Sequence, residues 1–229
     1  MVSSARLLRV PPVERGLTLG DFLVPIRISE HISARVRNLM LVGIGTMLII
    51  LGARISFYLP GNPIVPVTLQ TFGVIFTGAL LGFRRGSAAA ILYLALGIIG
   101  LPVFAWDADL GVYRSGLATI IARPEGQWVL GATGGYLIGF VAAAAVVGRL
   151  AELGWDRRFL GALAAMVVGE AIIFALGVSW LKVALDVPMA TALDYGLWPF
   201  LLGDALKIVL AAAVLPFGWW VVNRRPSDR

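Results

Sequence analysis

The chain of 229 residues contains no cysteine and a single histidine, His31. No disulfide, thiolate nucleophile or Cys-ligated metal is open to it, and one His in the polar N-terminal part leaves no His-based metal or triad chemistry in the apolar body. Charge is scarce too: 14% of residues are Asp, Glu, Lys or Arg, against about 25% in soluble domains. There is no Gly-x-x-x-x-Gly-Lys-Ser/Thr loop, so ATP hydrolysis has no seat in this chain and must belong to a partner wherever it occurs. The net charge of +6 and pI near 10.3 do not indicate nucleic acid. The basic residues are scattered Arg at the ends of apolar runs, not a basic stripe with interleaved aromatics.

What remains is apolar: 59% hydrophobic residues and a mean hydropathy of +0.89. The expected class is all-α, a polytopic integral membrane protein whose surroundings are the lipid bilayer. Hydropathy marks six spans: Asn38 to Tyr58, Val67 to Leu81, Ser87 to Leu101, Gly131 to Leu150, Leu160 to Leu181 and Trp198 to Val222. The second and third are short for a bilayer that needs about 20 residues. Arg35, Arg37, Arg84, Arg85, Arg149, Arg157, Arg158, Arg224 and Arg225 fall on one side, but only Arg54, Arg114, Arg123 and Lys182 on the other. The positive-inside rule therefore places both termini in the cytoplasm. The organisation is a basic N-terminal tail or interfacial helix over 1–37, with Leu17 to Ile28 as the interfacial candidate, a six-helix membrane domain over 38–222, and a cytoplasmic tail over 223–229.

Within the last span stand an acid and a base three residues apart, Asp204 and Lys207, on one helical face. Either charge near the middle of a bilayer helix costs roughly 2.5 to 3.5 kcal/mol, so the pair reads as a functional site or as a salt bridge gluing helices. It follows Pro199 by about two turns, which sets it in the outer third of the bilayer. The outer loops carry Thr68 and Gln70 after Pro60, Pro63 and Pro66, a long stretch from Pro102 to Leu130 with Trp106, Tyr113 and Trp128, and a third loop with Asp186, Asp194 and Tyr195 preceded by Trp180. Together they suggest a small-molecule pocket with apolar walls, a few polar anchors and a loop lid. Thr133, Gly134, Gly135 and Tyr136 start a span on the same side, where backbone N–H groups and a Tyr hydroxyl can serve a ligand or simply begin a helix. Glu170 is a further ionisable group in a span, either a protonated helix-to-helix contact or a ligand- or proton-linked residue. Gly78/Gly82, Gly82/Gly86 and Gly135/Gly139 have the spacing of close helix packing.

Six segments in order resemble the BioY family, the biotin-binding S components of energy-coupling factor (ECF) transporters. They are Pro66–Thr71; Gly78–Gly82 with Arg84-Arg85-Gly86; Leu92–Phe104; Gly131–Phe140; Gly169-Glu170 through Gly177 and Trp180; and Pro199-Phe200 through Gly203-Asp204 and Lys207. Ala132, Phe174 and Leu202 stand where the family usually has Pro, Tyr and Pro, and the loop after Pro102 is longer than usual, with only Ser115-Gly116-Leu117-Ala118 suggesting its Gly-rich segment.

The resemblance implies a six-helix subunit of the cell membrane that captures biotin from outside, is not an enzyme, needs no cofactor, and works with a transmembrane coupling subunit and a pair of ATPases. Asp204 would accept ureido N–H bonds, Lys207 would hold Asp204 ionised or donate to a ligand oxygen, and Gln70 and Thr68 would add neutral bonds. Tyr136, Gly134, Gly135, Ser115, Gly116 and Trp180 complete the expected site. Small residues of the first span, Gly43, Gly45 and Thr46, are the available docking face. The same scaffold tuned to another vitamin or a biotin precursor is the alternative, and an intramembrane enzyme a remote one.

Overall fold

The computed structural model describes residues 17–22, 33–108, 110–122, 127 and 129–224. Arg123, Trp128, Arg225 and most of the N-terminal tail lie outside them.

Helix α1, Ala34–Arg54, opens with the Ser33 hydroxyl accepting from the Val36 N–H, the usual satisfaction of a helix's first unpaired donors. It stops four residues before the expected Tyr58. The chain turns there into an antiparallel ribbon, β1 (Ser56–Leu59) on β2 (Asn62–Thr68). Pro63 and Pro66 suit a two-stranded ribbon, which is all edge, better than a helix interior. A continuous helical stretch then runs Gln70–Ile98, broken at Gly82, whose φ of 82° and ψ of 179° are non-helical. This is a hairpin of two short helices, α2 (70–81) and α3 (83–98). A Cβ on Gly86 would lie 2.8 Å from the Gly78 Cα, whereas eight residues along one straight helix span about 12 Å. The two short spans expected from hydropathy are thus present, and the Arg84-Arg85 pair follows the turn.

Between α3 and α4 (Gly134–Glu152) the long loop forms two more ribbons, β3 (Trp106–Asp107) with β4 (Val112–Tyr113) and β5 (Ile121–Ala122) with β6 (Val129–Leu130). Helix α5 (Phe159–Leu185), the short α6 (Met189–Gly196) and α7 (Leu201–Arg224) finish the fold. Among the described residues five helical stretches are long and apolar enough to cross a membrane. Because the second of them folds back at Gly82, the chain makes six passes.

Among lipid-facing helices there is no water to expel, so close backbone approach does the work. A Cβ on Gly78 would meet the Ala144 carbonyl at 2.6 Å, and one on Gly148 would meet Gly82 at 2.5 Å. The glycine pairs of the α2–α3 hairpin therefore serve packing, with α4 laid against the hairpin. On α1, Gly45 and Thr46 face inward, Thr46 Oγ1 donating to the Ala89 carbonyl at 3.1 Å, while Gly43 opens outward with nothing within 4 Å of an added Cβ. The expectation of one small-residue docking face holding both Gly43 and Thr46 is corrected: only Gly43 is on the outer surface.

The ribbons and α6 gather at one end of the bundle, and the Gly82 turn and the Trp155–Arg157 turn at the other. At that second end Leu17–Phe22 is docked. Thr18 and Leu19 are buried, Asp21 pairs with Arg85 at 2.7 Å, and Phe22 meets Trp219 edge to face. Burial works to raise the Asp21 pKa, but the Arg85 hydrogen bond and charge, with bonds from Thr18, outweigh it and hold the carboxyl below its ordinary value. This part of the expected interfacial segment lies on protein; residues 23–28 are outside those described.

Candidate functional site

The ribbon end holds a cavity of about 640 Å³, mouth included, between β2, α2, the long loop, α4, α5 and α7. Its polar floor is the pair seen in the sequence. Lys207 Nζ donates to Asp204 Oδ1 at 2.6 Å, to the Thr68 carbonyl at 2.6 Å and to Thr71 Oγ1 at 3.4 Å. Thr71 Oγ1 in turn donates to Asp204 Oδ1 at 3.2 Å. All three ammonium hydrogens are spent inside the protein, and Asp204 Oδ1 takes two donors. Asp204 Oδ2 takes none among the described residues and stands as the carboxylate oxygen without a donor. Lys207 orients this carboxylate and has no N–H to spare.

Local chain geometry explains why these groups meet. Thr68 Oγ1 accepts the Gln70 N–H at 3.1 Å, turning the chain from β2 into α2, so that the Thr68 carbonyl faces α7 while Gln70 begins a helix. The Gln70 side-chain amide donates to the Tyr93 hydroxyl on α3, which fixes a 4% exposed amide on the cavity wall. Tyr93 stacks edge to face on Phe104 at 5.5 Å between centroids.

Of the ten residues singled out from sequence, Asp204, Lys207, Gln70, Thr68 and Tyr136 line the cavity. Tyr136 does so with its ring, because its hydroxyl donates to the Gly196 carbonyl at 2.8 Å and thereby ties α4 to α6. The other five stand back from the cavity. A Cβ on Gly135 would lie 2.2 Å from the Trp180 Cβ and one on Gly134 2.9 Å from the indole, so the α-carbons of both glycines seat Trp180. Trp180 Nε1 donates to the Gly131 carbonyl at 2.9 Å and anchors the base of the loop. The Gly116 N–H bonds the Gly97 carbonyl at 2.7 Å and Ser115 lends its carbonyl to Thr119 Oγ1, both framing the lid.

Arg114 is the residue that sequence reading placed only as an outer-loop charge. It lines the cavity from the β3–β4 ribbon, held by Asp107 Oδ2 at 2.7 Å. The ribbon is itself fastened: Trp106 packs on Tyr113 at 5.1 Å, Arg54 lies 3.8 Å over the Tyr113 ring, and Arg54 donates to the Pro102 carbonyl at 2.7 Å. The only sequence signal for Arg114 was a cation seven residues beyond an acid in an apolar loop. Phe104, Phe140, Phe174 and Phe200 complete the apolar walls. A carboxylate acceptor at one end, a guanidinium in the lid and aromatic rings between them fit a ligand with N–H donors, an apolar body and an anionic tail.

Comparison with known proteins agrees with this architecture. A sequence model of the BioY family matches residues 27–224. The biotin transporter BioY of Thermotoga maritima is 39% identical over 178 residues, covering 78% of this chain and 93% of the relative. That of Rhodobacter capsulatus is 37% identical over 195 residues, 78% of this chain and 90% of the relative. A 2.1 Å crystal structure of the S-component for biotin from an ECF-type ABC transporter superposes with a TM-score of 0.68 at 26% identity, over 81% of this chain and 93% of that one. The chain belongs to the BioY family.

Proposed function

We propose that this chain is the biotin-capturing subunit of a cell-membrane vitamin transporter. Biotin enters from the ribbon end, one ureido N–H donates to Asp204 Oδ2, its bicycle lies among Phe104, Phe140 and Phe174, and its carboxylate meets Arg114 in the lid. The observation that carries this reading is the Asp204–Lys207–Thr71–Thr68 network, which leaves one carboxylate oxygen without a donor among the described residues on the wall of a largely apolar cavity. The ribbon end faces outward because Arg84, Arg85, Arg149, Arg157 and Arg158 cluster at the opposite end of the bundle.

No covalent step is involved. Energy for inward release comes from partners, a transmembrane coupling subunit and an ATPase pair, and the outward-facing strip of α1 around Gly43 is the docking face. Flow dialysis of labelled biotin against the purified chain tests the reading. Saturable one-site binding that unlabelled biotin competes away supports it; preferential competition by a biotin precursor or another vitamin assigns the scaffold a different ligand.

A further inference from the structure

Glu170 is left over by this account. It lies midway along α5, is 4% exposed, and among the described residues neither of its carboxyl oxygens has a hydrogen-bond partner, because the nearby Thr71 hydroxyl gives its hydrogen to Asp204 Oδ1. The charged groups acting on it are Asp204 and Lys207 of α7, and α2 presents only the Thr71 hydroxyl. From α4 no ionisable side chain reaches its level: Val147 packs on Gly169 and Gly139 on Ile173, while Tyr136 meets Gly177, about 10 Å further along the helix. Asp194 and Tyr195 of α6 line a separate outer groove, and Asp156 and Arg157 sit at the other end of α5. One cation thus serves two buried acids, and its three hydrogens already go to Asp204, Thr71 and Thr68.

A carboxylate without a donor is not sustained at this depth, whereas a neutral carboxylic acid is. We infer that Glu170 is a positioning residue of the biotin site, carrying a proton in the binding-competent state so that Lys207 stays wholly with Asp204 and Asp204 Oδ2 stays available to the ligand. This rests on the biotin reading above. Once ionised, Glu170 would draw Lys207 away from Asp204 and place a second negative charge behind the ligand's acceptor, so binding weakens as that proton is lost. By linkage, biotin binding at alkaline pH takes up a proton.

The test is biotin affinity of the full-length purified chain from pH 6 to 9.5, for wild type and Glu170→Gln. Biotin's own carboxylate is ionised throughout this range. Wild-type affinity should be level at the acidic end and then fall about tenfold per pH unit; the Gln variant, a permanent neutral analogue, should keep the acidic-end affinity and stay level. A wild-type profile with no fall, or a Gln variant that follows the wild-type curve, overturns the inference, the second outcome assigning the fall to Lys207. If the Gln variant does not fold, calorimetry of wild type at pH 8.5 in two buffers of different ionisation enthalpy decides: proton uptake on biotin binding supports the inference, and none overturns it. Failure of wild type to bind biotin even at pH 6 sinks the biotin reading itself, which a level profile with intact binding does not.

Discussion

Lys207 lies 2.6 Å from Asp204, one turn away on the same helix, and equally 2.6 Å from the carbonyl of Thr68, 139 positions earlier in the chain. The two contacts make one device. The ammonium closes the corner between β2 and α2 against α7, and the carboxylate it holds is the one that faces the cavity.

Arg114 should discriminate by ligand charge. A charge-assisted hydrogen bond contributes about 1.5 to 3 kcal/mol, so Arg114→Gln should weaken biotin binding about 10- to 100-fold. The neutral amide of biotin should bind wild type and variant alike. Equal losses for both ligands, measured by competition dialysis, would place Arg114 in lid folding instead.

Gly135 and Gly203 make a matched pair. A Cβ on Gly135 collides with Trp180 and the Leu176 carbonyl, while one on Gly203 meets nothing within 4 Å. Gly135→Ala should cost about 1 to 3 kcal/mol by overpacking, and Gly203→Ala should stabilise by about 0.5 to 1 kcal/mol by stiffening the helix. Melting temperatures should move in opposite directions, by about 2 to 4 °C per kcal/mol.

Asp156 gives a pH signature at the arginine-rich end. It is 1% exposed; burial raises its pKa from 3.8 to about 6, although the Trp219 Nε1–H donates to Oδ2 at 2.6 Å and Arg157 acts in the lowering direction. An acid that the folded state protonates more readily loses stability as pH rises from about 4 to 6, and the loss is complete above that. Asp156→Asn keeps an acceptor for Trp219 and should therefore melt higher at pH 7.5, by about 3 kcal/mol at most, with the gap closing as pH falls through that window. A variant that melts lower at pH 7.5 contradicts this.

Gly43→Leu should separate transport from binding. An added side chain there meets only the outer surface of α1, so biotin affinity of the isolated chain should be unchanged, while uptake by cells supplying the coupling proteins should fall. Equal losses of both would mean a folding defect.

Much of this is legible in the sequence, and the reasons differ by residue. Asp204 and Lys207 stand out because charge inside an apolar run is rare and a spacing of three sets both on one face. The Gly82 hairpin shows as two short spans ahead of and behind Arg84-Arg85. Arg114 stayed hidden because its place on the cavity wall depends on the ribbon pairing Trp106 with Tyr113, which no hydropathy pattern reveals. Gly134 and Gly135 suggest a ligand-facing turn because a glycine at a helix start exposes N–H groups; that their α-carbons seat Trp180, 45 positions away from Gly135, is visible only in the fold. Thr46 shares the small size of Gly43, but its hydroxyl turns inward to Ala89.

The most direct test of the account is the biotin affinity of Asp204→Asn, read beside the melting temperature of the ligand-free protein. If Asp204 Oδ2 is the ureido acceptor, loss of its charge should weaken binding about 10- to 100-fold while the ligand-free protein melts nearly as before, since Asn keeps an oxygen for Lys207 and Thr71. Unchanged affinity with a fold destabilised by about 3 to 5 kcal/mol, the cost of breaking a buried pair that only staples helices, would contradict it.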